Sequence, residues 1–434
     1  MNLLGAFVSA FKVPDLRKKI LFTLMIIAVY RFGSHVPTPG IDVEAAQQFS
    51  AQAQDSGGAI SFINLFSGGA LTQLAVFALG IMPYITSSII MQLLTVVIPR
   101  LEAWSKENKA GYKKITQWTR YLTIMLAVLQ STGLAFLFHR GQLGQGGPTT
   151  SADIIPDFSA SKVMLIVVSL TAGTALIMWL GELITQRGIG NGMSIIIFAS
   201  IVSTLPSEGA SILAQKGAGI FFFICLIGLF VIVAIVTMEQ GQRRIPVQYA
   251  KRVVGRKMYG GSSTYIPLKV NQAGIIPIIF ASSVLYIPTL MQNVVQNKTI
   301  QDFISNHLVN QASLTYMFIY GTMVVFFAYF YTAISFNPTD VADNMKKYGG
   351  FIPGIRPGRQ TAEYLDRILT RITLPGALFV AAIALMPSIF IAWQNIQALP
   401  FGGTSILIAV GVTLETMKQI ESQLMMRHYE GFLK

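Results

Sequence analysis

The residues of this chain that are equipped for chemistry are mostly cations, and they come in pairs. Arg243-Arg244, Lys251-Arg252 and Arg256-Lys257 lie in one stretch, EQGQRRIPVQYAKRVVGRKMYGGSSTYIPLKV. Adjacent cationic side chains suit clustered phosphates or carboxylates, because each adds a charge-assisted hydrogen bond to the same anion. The β-branched runs broken by glycine in this stretch predict a hairpin or long finger. A second stretch, NPTDVADNMKKYGGFIPGIRPGRQTAEYLDRI, sets Arg356 and Arg359 among Pro353, Gly354, Pro357 and Gly358. Proline restricts φ and glycine permits sharp turning, so a rigid turn presenting both arginines is expected. The length and rigidity of the two stretches argue for docking of a partner.

Other chemistries lack their residues. The acids nearest the apolar segments, Glu182, Glu239 and Glu415, fall close to segment ends, as do His35, His139, His307 and His428 or they lie in loops. Ion or proton coupling would call for ionisable groups within the membrane, and hydrolysis for a nucleophile–base pair. No GxxxxGK[ST] phosphate loop occurs, so energy from ATP has to arrive through a partner. Cys225 is the single cysteine, which excludes an internal disulfide framework and a cysteine-rich metal site. No enzyme activity, cofactor or metal is expected.

The elements that position the cations are apolar. Hydrophobic residues make up 53% of the 434 and charged residues 12%, which excludes an ordinary soluble fold. Runs of spanning length fall at 20–36, 74–97, 117–138, 163–180, 189–205, 219–238, 271–291, 314–336, 369–391 and 404–424, predicting ten transmembrane helices. No cleavable signal peptide is expected before them. Residues 2–19 read as a short amphipathic helix with Leu3, Leu4, Phe7 and Phe11 apolar and Arg17-Lys18-Lys19 at its end. The net charge of +13 suits nucleic acid or a membrane surface until the charges are placed. Of the 32 basic residues, only Arg31, Arg140, Lys162, Lys216 and Lys298 fall outside one set of alternate loops. The positive-inside rule makes that set cytoplasmic, with both termini inside.

Ten spans divide into two halves of five, 1–206 and 207–434, which must be inverted if they are related. The second span carries Gly80-Ile81-Met82-Pro83-Tyr84-Ile85 followed by Ser87-Ser88; the seventh carries Gly274-Ile275-Ile276-Pro277-Ile278-Ile279 followed by Ser282-Ser283. The fifth opens with Gly192-Met193-Ser194-Ile195-Ile196-Ile197 and the tenth with Gly403-Thr404-Ser405-Ile406-Leu407-Ile408. This alignment pairs Ile85 with Ile279 and Ile197 with Ile408, each near the middle of its span. A ring of four β-branched aliphatics at one depth would gate by dewetting. Gln92 and Asn271 fall near the ends of the second and seventh spans, where a polar contact would latch a seam if those helices are neighbours. The other polar residues in the spans, Thr86, Ser87, Ser88, Gln130, Ser282 and Ser283, are of the kind that bonds across helices.

The stretch 60–97 is too long and too broken for one span. A short apolar piece ends at Ser67-Gly68-Gly69, and Pro83 lies inside the run that follows. A half-helix folded into a cavity, followed by a span kinked at Pro83, accounts for it. An amphipathic surface helix joined by a glycine turn to an ordinary span accounts for it equally.

The motifs NLFSGGAL, FALGIMPYI, GIGNGMSIIIF, GQRRIPVQYAKR, PLKVNQAGIIPIIFASS, ADNMKKYGGFIPGIRPG and FGGTSILI run along almost the whole chain. Together they resemble the SecY family, central subunits of the bacterial protein-conducting channel. The resemblance implies an all-α polytopic membrane protein whose inverted halves surround an hourglass pore in the plasma membrane. It implies a plug around Phe62, Ile63, Asn64, Leu65, Phe66, Ser67, Gly68 and Gly69, and a pore ring of Ile81, Ile85, Ile197, Ile279 and Ile408. It implies a lateral gate between the second and seventh spans, at Pro83, Ser87, Ser88, Gln92, Asn271, Pro277, Ser282 and Ser283. Arg243, Arg244, Arg256, Lys257, Arg356 and Arg359 would meet the ribosome, through its rRNA phosphates, or the SecA motor. SecE and SecG would be the further subunits, nascent chains with signal sequences the clients, and anionic lipids the surroundings. Departures from the family are confined to loops such as 141–157 and 292–313. A secondary transporter with inverted repeats would show charges near the midplane, and an intramembrane protease a catalytic pair; neither is present.

Overall fold

The structure, a computed structural model, describes residues 11–42, 66–107, 109–139, 155, 158–249, 252–254, 257–259, 263–294, 298–394 and 403–432. Helices dominate: α1 Pro14–Gly33, α2 Met82–Val97, α3 Pro99–Lys106, α4 Lys109–His139, α5 Ala160–Arg187 and α6 Gly192–Gln240. After a strand-containing loop come α7 Ile276–Val294, α8 Lys298–Ile304, α9 Leu314–Ser335, α10 Pro338–Lys347, α11 Arg359–Gln394 and α12 Gly403–Phe432. The helix α6 is two helices in series, because Gly217 departs from helical geometry at φ 81°. The chain is an all-α polytopic membrane protein. Among the described residues, five helical stretches are long and apolar enough to cross a membrane, and α2 with α3, bent by 102° at the break before Pro99, makes a sixth if counted as one span.

Two expectations need correction. The segment from Leu74 to Ile81 is not helical: it runs as successive turns, with α2 beginning only at Met82. Pro83 therefore kinks nothing. It sits in the first turn of α2, where its missing N–H has no partner to lose. Pro277 is likewise the second residue of α7. In addition, Arg17-Lys18-Lys19 belong to α1 rather than to a separate surface helix, while residues 1–10 lie outside the described residues.

The resemblance between the halves has a physical basis at matching positions. Gly80 (φ 56°) and Gly274 (φ 60°) both hold left-handed backbone just before the proline that opens a helix. Gly192 at the start of α6 packs on the backbone of α5, where a Cβ would overlap the Gly181 carbonyl. Gly403 at the start of α12 packs on α11 in the same way, against the Ile383 carbonyl.

Buried apolar residues form separate clusters. One draws only on 71–170, including Leu71, Leu134, Phe138 and Leu170; another only on 231–407, including Ile235, Leu285, Val324 and Leu407. A third crosses between them and is taken up below. A smaller cluster joins the start of α1 (Leu16, Ile20) to the end of α12 (Ile420, Leu424), with Lys19 Nζ donating to Gln423 Oε1 at 3.2 Å.

The two basic stretches do not stand apart. The strands β1 Gln242–Tyr249 and β4 Ser263–Lys269 form an antiparallel hairpin whose far end carries the short pair β2 Arg252–Val254 and β3 Lys257–Tyr259. The strand β5, Gly350–Phe351, comes from the second stretch and adds to β1, pairing Gln248 with Phe351 and Tyr249 with Gly350. Alternation along β1 turns Ile245 and Val247 inward, where they pack with Leu268, Met345, Ile352 and Leu365. The expected finger is thus the longer arm of one two-loop platform.

Candidate functional site

The cluster that crosses between the halves contains all five isoleucines of the expected ring. Ile81 caps the start of α2, Ile85 lies one turn on, Ile197 is in α6, Ile279 in α7 and Ile408 in α12. All are buried in one apolar group with Ile89, Ile195, Ile201, Phe280 and Val412. Its buried members are apolar apart from the Tyr30 hydroxyl, which lies against the buried Ser67 and Ser200, and Tyr84 and Tyr331 pack at its edge.

Phe66 belongs to the same cluster, 1% exposed. Of the expected plug, Phe62, Ile63, Asn64 and Leu65 lie outside the described residues; Phe66, Ser67, Gly68 and Gly69 are described. These four leave the cluster through left-handed glycines, Gly68 at φ 64° and Gly69 at φ 88°. They are gripped by side chains that composition and spacing did not single out. The Tyr30 hydroxyl lies 2.6 Å from Ser200 Oγ and donates to the Ser67 carbonyl at 3.2 Å. Arg31 Nη1 donates to the Gly68 carbonyl and to Ser203 Oγ, both at 2.8 Å. Beyond the turn, residues 74–76 pair with 36–38, as Thr38 N–H donates to the Leu74 carbonyl and Val76 N–H to the Val36 carbonyl. The one signal in the sequence was Arg31 itself, a cation on the side where cations are rare.

The polar residues assigned to the seam between α2 and α7 mostly face elsewhere. Ser87 is fully buried and donates to the Thr119 carbonyl of α4 at 2.7 Å. Ser282 donates to the Ile278 carbonyl and lies 3.2 Å from the Tyr320 hydroxyl of α9. Each serine therefore ties its helix to a neighbour within its own half. The latch between Gln92 and Asn271 is not formed. Asn271 Nδ2 donates to Glu239 Oε1 at 2.6 Å and to the Gly274 carbonyl at 3.2 Å, while Gln92 is exposed. Ser88 and Ser283 are half-buried, Ser283 donating to the Ile279 carbonyl at 2.7 Å. The contact between α2 and α7 is thin compared with that between α2 and α4 or α7 and α9. Ile85 and Ile89 of the one helix and Ile279 and Phe280 of the other are buried in the same apolar cluster, with Ile275 packed against it.

Two of the acids near the segment ends, Glu182 and Glu239, are bound into the fold. Arg120 grips Glu182 with two parallel bonds, Nε to Oε1 at 2.8 Å and Nη2 to Oε2 at 2.6 Å, joining α4 to α5. Glu239 is engaged by Asn271, as above. Among the described residues no group of His, Cys, Asp or Glu is arranged to hold a metal ion.

On the platform, Arg243 and Arg244 are exposed on β1, and the Arg244 guanidinium lies 4.8 Å from the centre of the Tyr265 ring. Arg256 lies outside the described residues, and Lys257 is on β3. Arg356 and Arg359 follow the turn expected for them, with Gly354 at φ 83°, Gly358 at φ 106° and Ile355 N–H bonded to the Ile352 carbonyl at 3.0 Å. Arg359 Nε pairs with Glu363 Oε1 at 2.9 Å, whereas Arg356 is exposed and makes no ion pair among the described residues.

The arrangement can be set beside known proteins. A family model described as SecY matches residues 75–417. "Protein translocase subunit SecY" of Streptomyces scabiei is 58% identical over 438 residues, covering 100% of both chains. The protein of the same name from Mycobacterium tuberculosis is 55% identical over 444 residues, again covering 100% of both. Among solved structures, "The structure of a protein conducting channel" shares the fold at a TM-score of 0.61 and 16% identity, over 95% of this chain and 96% of that one. "Sec61 in the Canine ribosome-channel complex from the endoplasmic reticulum" does so at 0.59 and 15%, over 95% and 96%. With its buried isoleucine cluster, clamped glycine turn and paired basic loops carried on a fold of this kind, and with relatives this similar along their whole length, the chain belongs to the SecY family.

Proposed function

We infer that this chain is the pore-forming subunit of a protein-conducting channel in the bacterial plasma membrane. Its ten spans form two inverted halves, 1–206 and 207–434, with both termini cytoplasmic. The halves enclose an hourglass pore sealed at its waist by Ile81, Ile85, Ile197, Ile279 and Ile408 and stopped by the plug at 62–69. Unfolded polypeptide passes through the waist, and transmembrane segments leave sideways between α2 and α7. The chain itself is no enzyme; a ribosome or the SecA motor, docked on the platform through Arg243, Arg244, Arg256, Lys257, Arg356 and Arg359, supplies the drive. SecE, SecG and anionic lipids complete the assembly.

The observation that carries this reading is the single cluster. Five isoleucines from four helices, far apart in sequence, share one buried apolar cluster with Phe66 of the expected plug. Ordinary packing needs no such matched set from both halves. The packing of the chain's two ends against each other supports an even number of spans. One of the fold relatives is titled for a plug domain that stabilises the closed state and maintains a membrane seal.

The test is ionic conductance of the full-length channel reconstituted in planar bilayers. Ile408→Asn places an amide in the cluster, and water should follow it. We expect conductance of the resting channel to rise and export of clients with defective signal sequences to increase. Wild-type conductance in both Ile408→Asn and Ile85→Asn would overturn the seal.

A further inference from the structure

We propose that Tyr30 and Arg31, acting with Ser200 and Ser203, are a latch that holds the hinge of the plug shut and sets how readily the channel opens. This rests on the reading of residues 62–69 as a plug and adds the residues that restrain it. The geometry is specific. Two consecutive residues of the hinge offer their carbonyls, Ser67 to the Tyr30 hydroxyl and Gly68 to the Arg31 guanidinium. Each of those donors also engages a serine of α6, Tyr30 with Ser200 and Arg31 with Ser203, so the hinge is tied to α1 and α6 together. The hinge itself is soft. Gly68 and Gly69 are both left-handed, a region glycine enters freely, so residues 66–69 keep their place through bonds. Locally, Ser67 Oγ accepts from the Leu71 N–H and the Gly69 carbonyl from Thr72 Oγ1. Across the fold, Tyr30 and Arg31 hold the two carbonyls. Contact confines them as well: a side chain at Gly68 would crowd Arg31 Nη1 and the Ser200 Cα, each 3.1 Å from its Cβ.

Arg31 is otherwise hard to account for. It lies at the end of α1 on the side where only five of the chain's 32 basic residues fall, against the topology signal carried by the rest. No carboxylate pairs with it among the described residues; its Nη1 is spent on a backbone carbonyl and a hydroxyl. A cation adds strength and direction to such bonds, and a carbonyl in a glycine hinge is a place where that strength restrains motion. Phe66, next to the hinge, lies in the isoleucine cluster. Releasing the latch frees Phe66 to leave the waist, so the latch and the seal open together.

The experiment uses the full-length channel in planar bilayers, in four forms: wild type, Arg31→Ala, a plug deletion lacking residues 60–66, and the two changes combined. We expect Arg31→Ala to raise resting ion leak about ten-fold, the loss of one charge-assisted hydrogen bond, and the combined form to leak no more than the plug deletion alone. Ser203→Ala, which leaves Arg31 and the hinge intact, should raise leak by a smaller factor, and stands in if Arg31→Ala fails to accumulate. If the plug deletion leaks but neither Arg31→Ala nor Ser203→Ala does, the latch is wrong and the plug stands. If the plug deletion does not leak either, the plug reading falls first. If Arg31→Ala adds leak equally with and without the plug, Arg31 supports the wall of the pore and the latch is overturned.

Discussion

At the scale of single residues, what a side chain does here depends on which neighbour it reaches. Ser87 and Ser282 were assigned to a moving seam, yet both are bound into fixed contacts, with the Thr119 carbonyl and the Tyr320 hydroxyl. Arg356 is the opposite case. Its turn is held by Gly354 and Gly358, and its guanidinium is not committed within the described residues, whereas Arg359 is already paired with Glu363. A planar fork on a rigid turn loses little entropy on docking and can bind an oxyanion at two points, which an ammonium cannot. Arg356→Lys should therefore slow motor- or ribosome-driven translocation into reconstituted vesicles by roughly ten-fold, with the channel still folded and inserted. Arg359→Lys should cost far less. Equal, near-wild-type rates for both variants would reduce Arg356 to a point charge.

At the scale of elements, α2 and α7 are matched helices. Both start at a proline after a left-handed glycine, both are tied backward by a serine, and they touch each other only lightly. Strong contact of each helix with its own half and thin contact between the two helices is the distribution expected of a seam that parts. Among the described residues no hydrogen bond joins the two helices, so parting them costs apolar contact, which a hydrophobic signal helix can replace. Cysteines at Ile89 and Ile275, both packed into the central cluster, should be joined by a short bis-maleimide. The joined channel should lose export of all signal-bearing clients, measured by protease protection in vesicles. Export at the wild-type rate from fully joined protein would move the route away from this seam.

At the scale of the whole molecule, the two basic loops act as one body. The pairing of β5 with β1 and the shared core of Ile245, Val247, Leu268, Met345, Ile352 and Leu365 link a platform arm after α6 to another after α9. Cations on separate flexible loops would pay ordering entropy twice on meeting a large partner; on a packed platform they are presented together. Ile352→Asp buries a carboxylate in that core and should release the second loop. We expect ribosome affinity, followed by co-sedimentation, to fall by at least about ten-fold, with resting conductance unchanged because the isoleucine cluster lies elsewhere. Unaltered affinity would show that the loops dock independently.

Composition and periodicity alone determined the membrane class, the apolar segments and the distribution of charge, because each rests on averages over many residues that a bilayer enforces. The repeated GIxP and Gly–Ile openings also marked the isoleucines, since the backbone geometry they serve, a left-handed glycine before a proline or a glycine against a carbonyl, admits few other residues. Only the tertiary structure decided the direction in which each polar side chain points, because period and spacing place a residue on a helix without naming its neighbour. That is why Asn271 meets Glu239 instead of Gln92, and why Pro83 begins a helix where a kink was expected. The grip of Tyr30 and Arg31 on the hinge joins residues 37 positions apart with serines about 170 further along, through two carbonyls that have no signature in sequence. Backbone acceptors are the same at every residue, and folding alone selects which of them a distant donor will find.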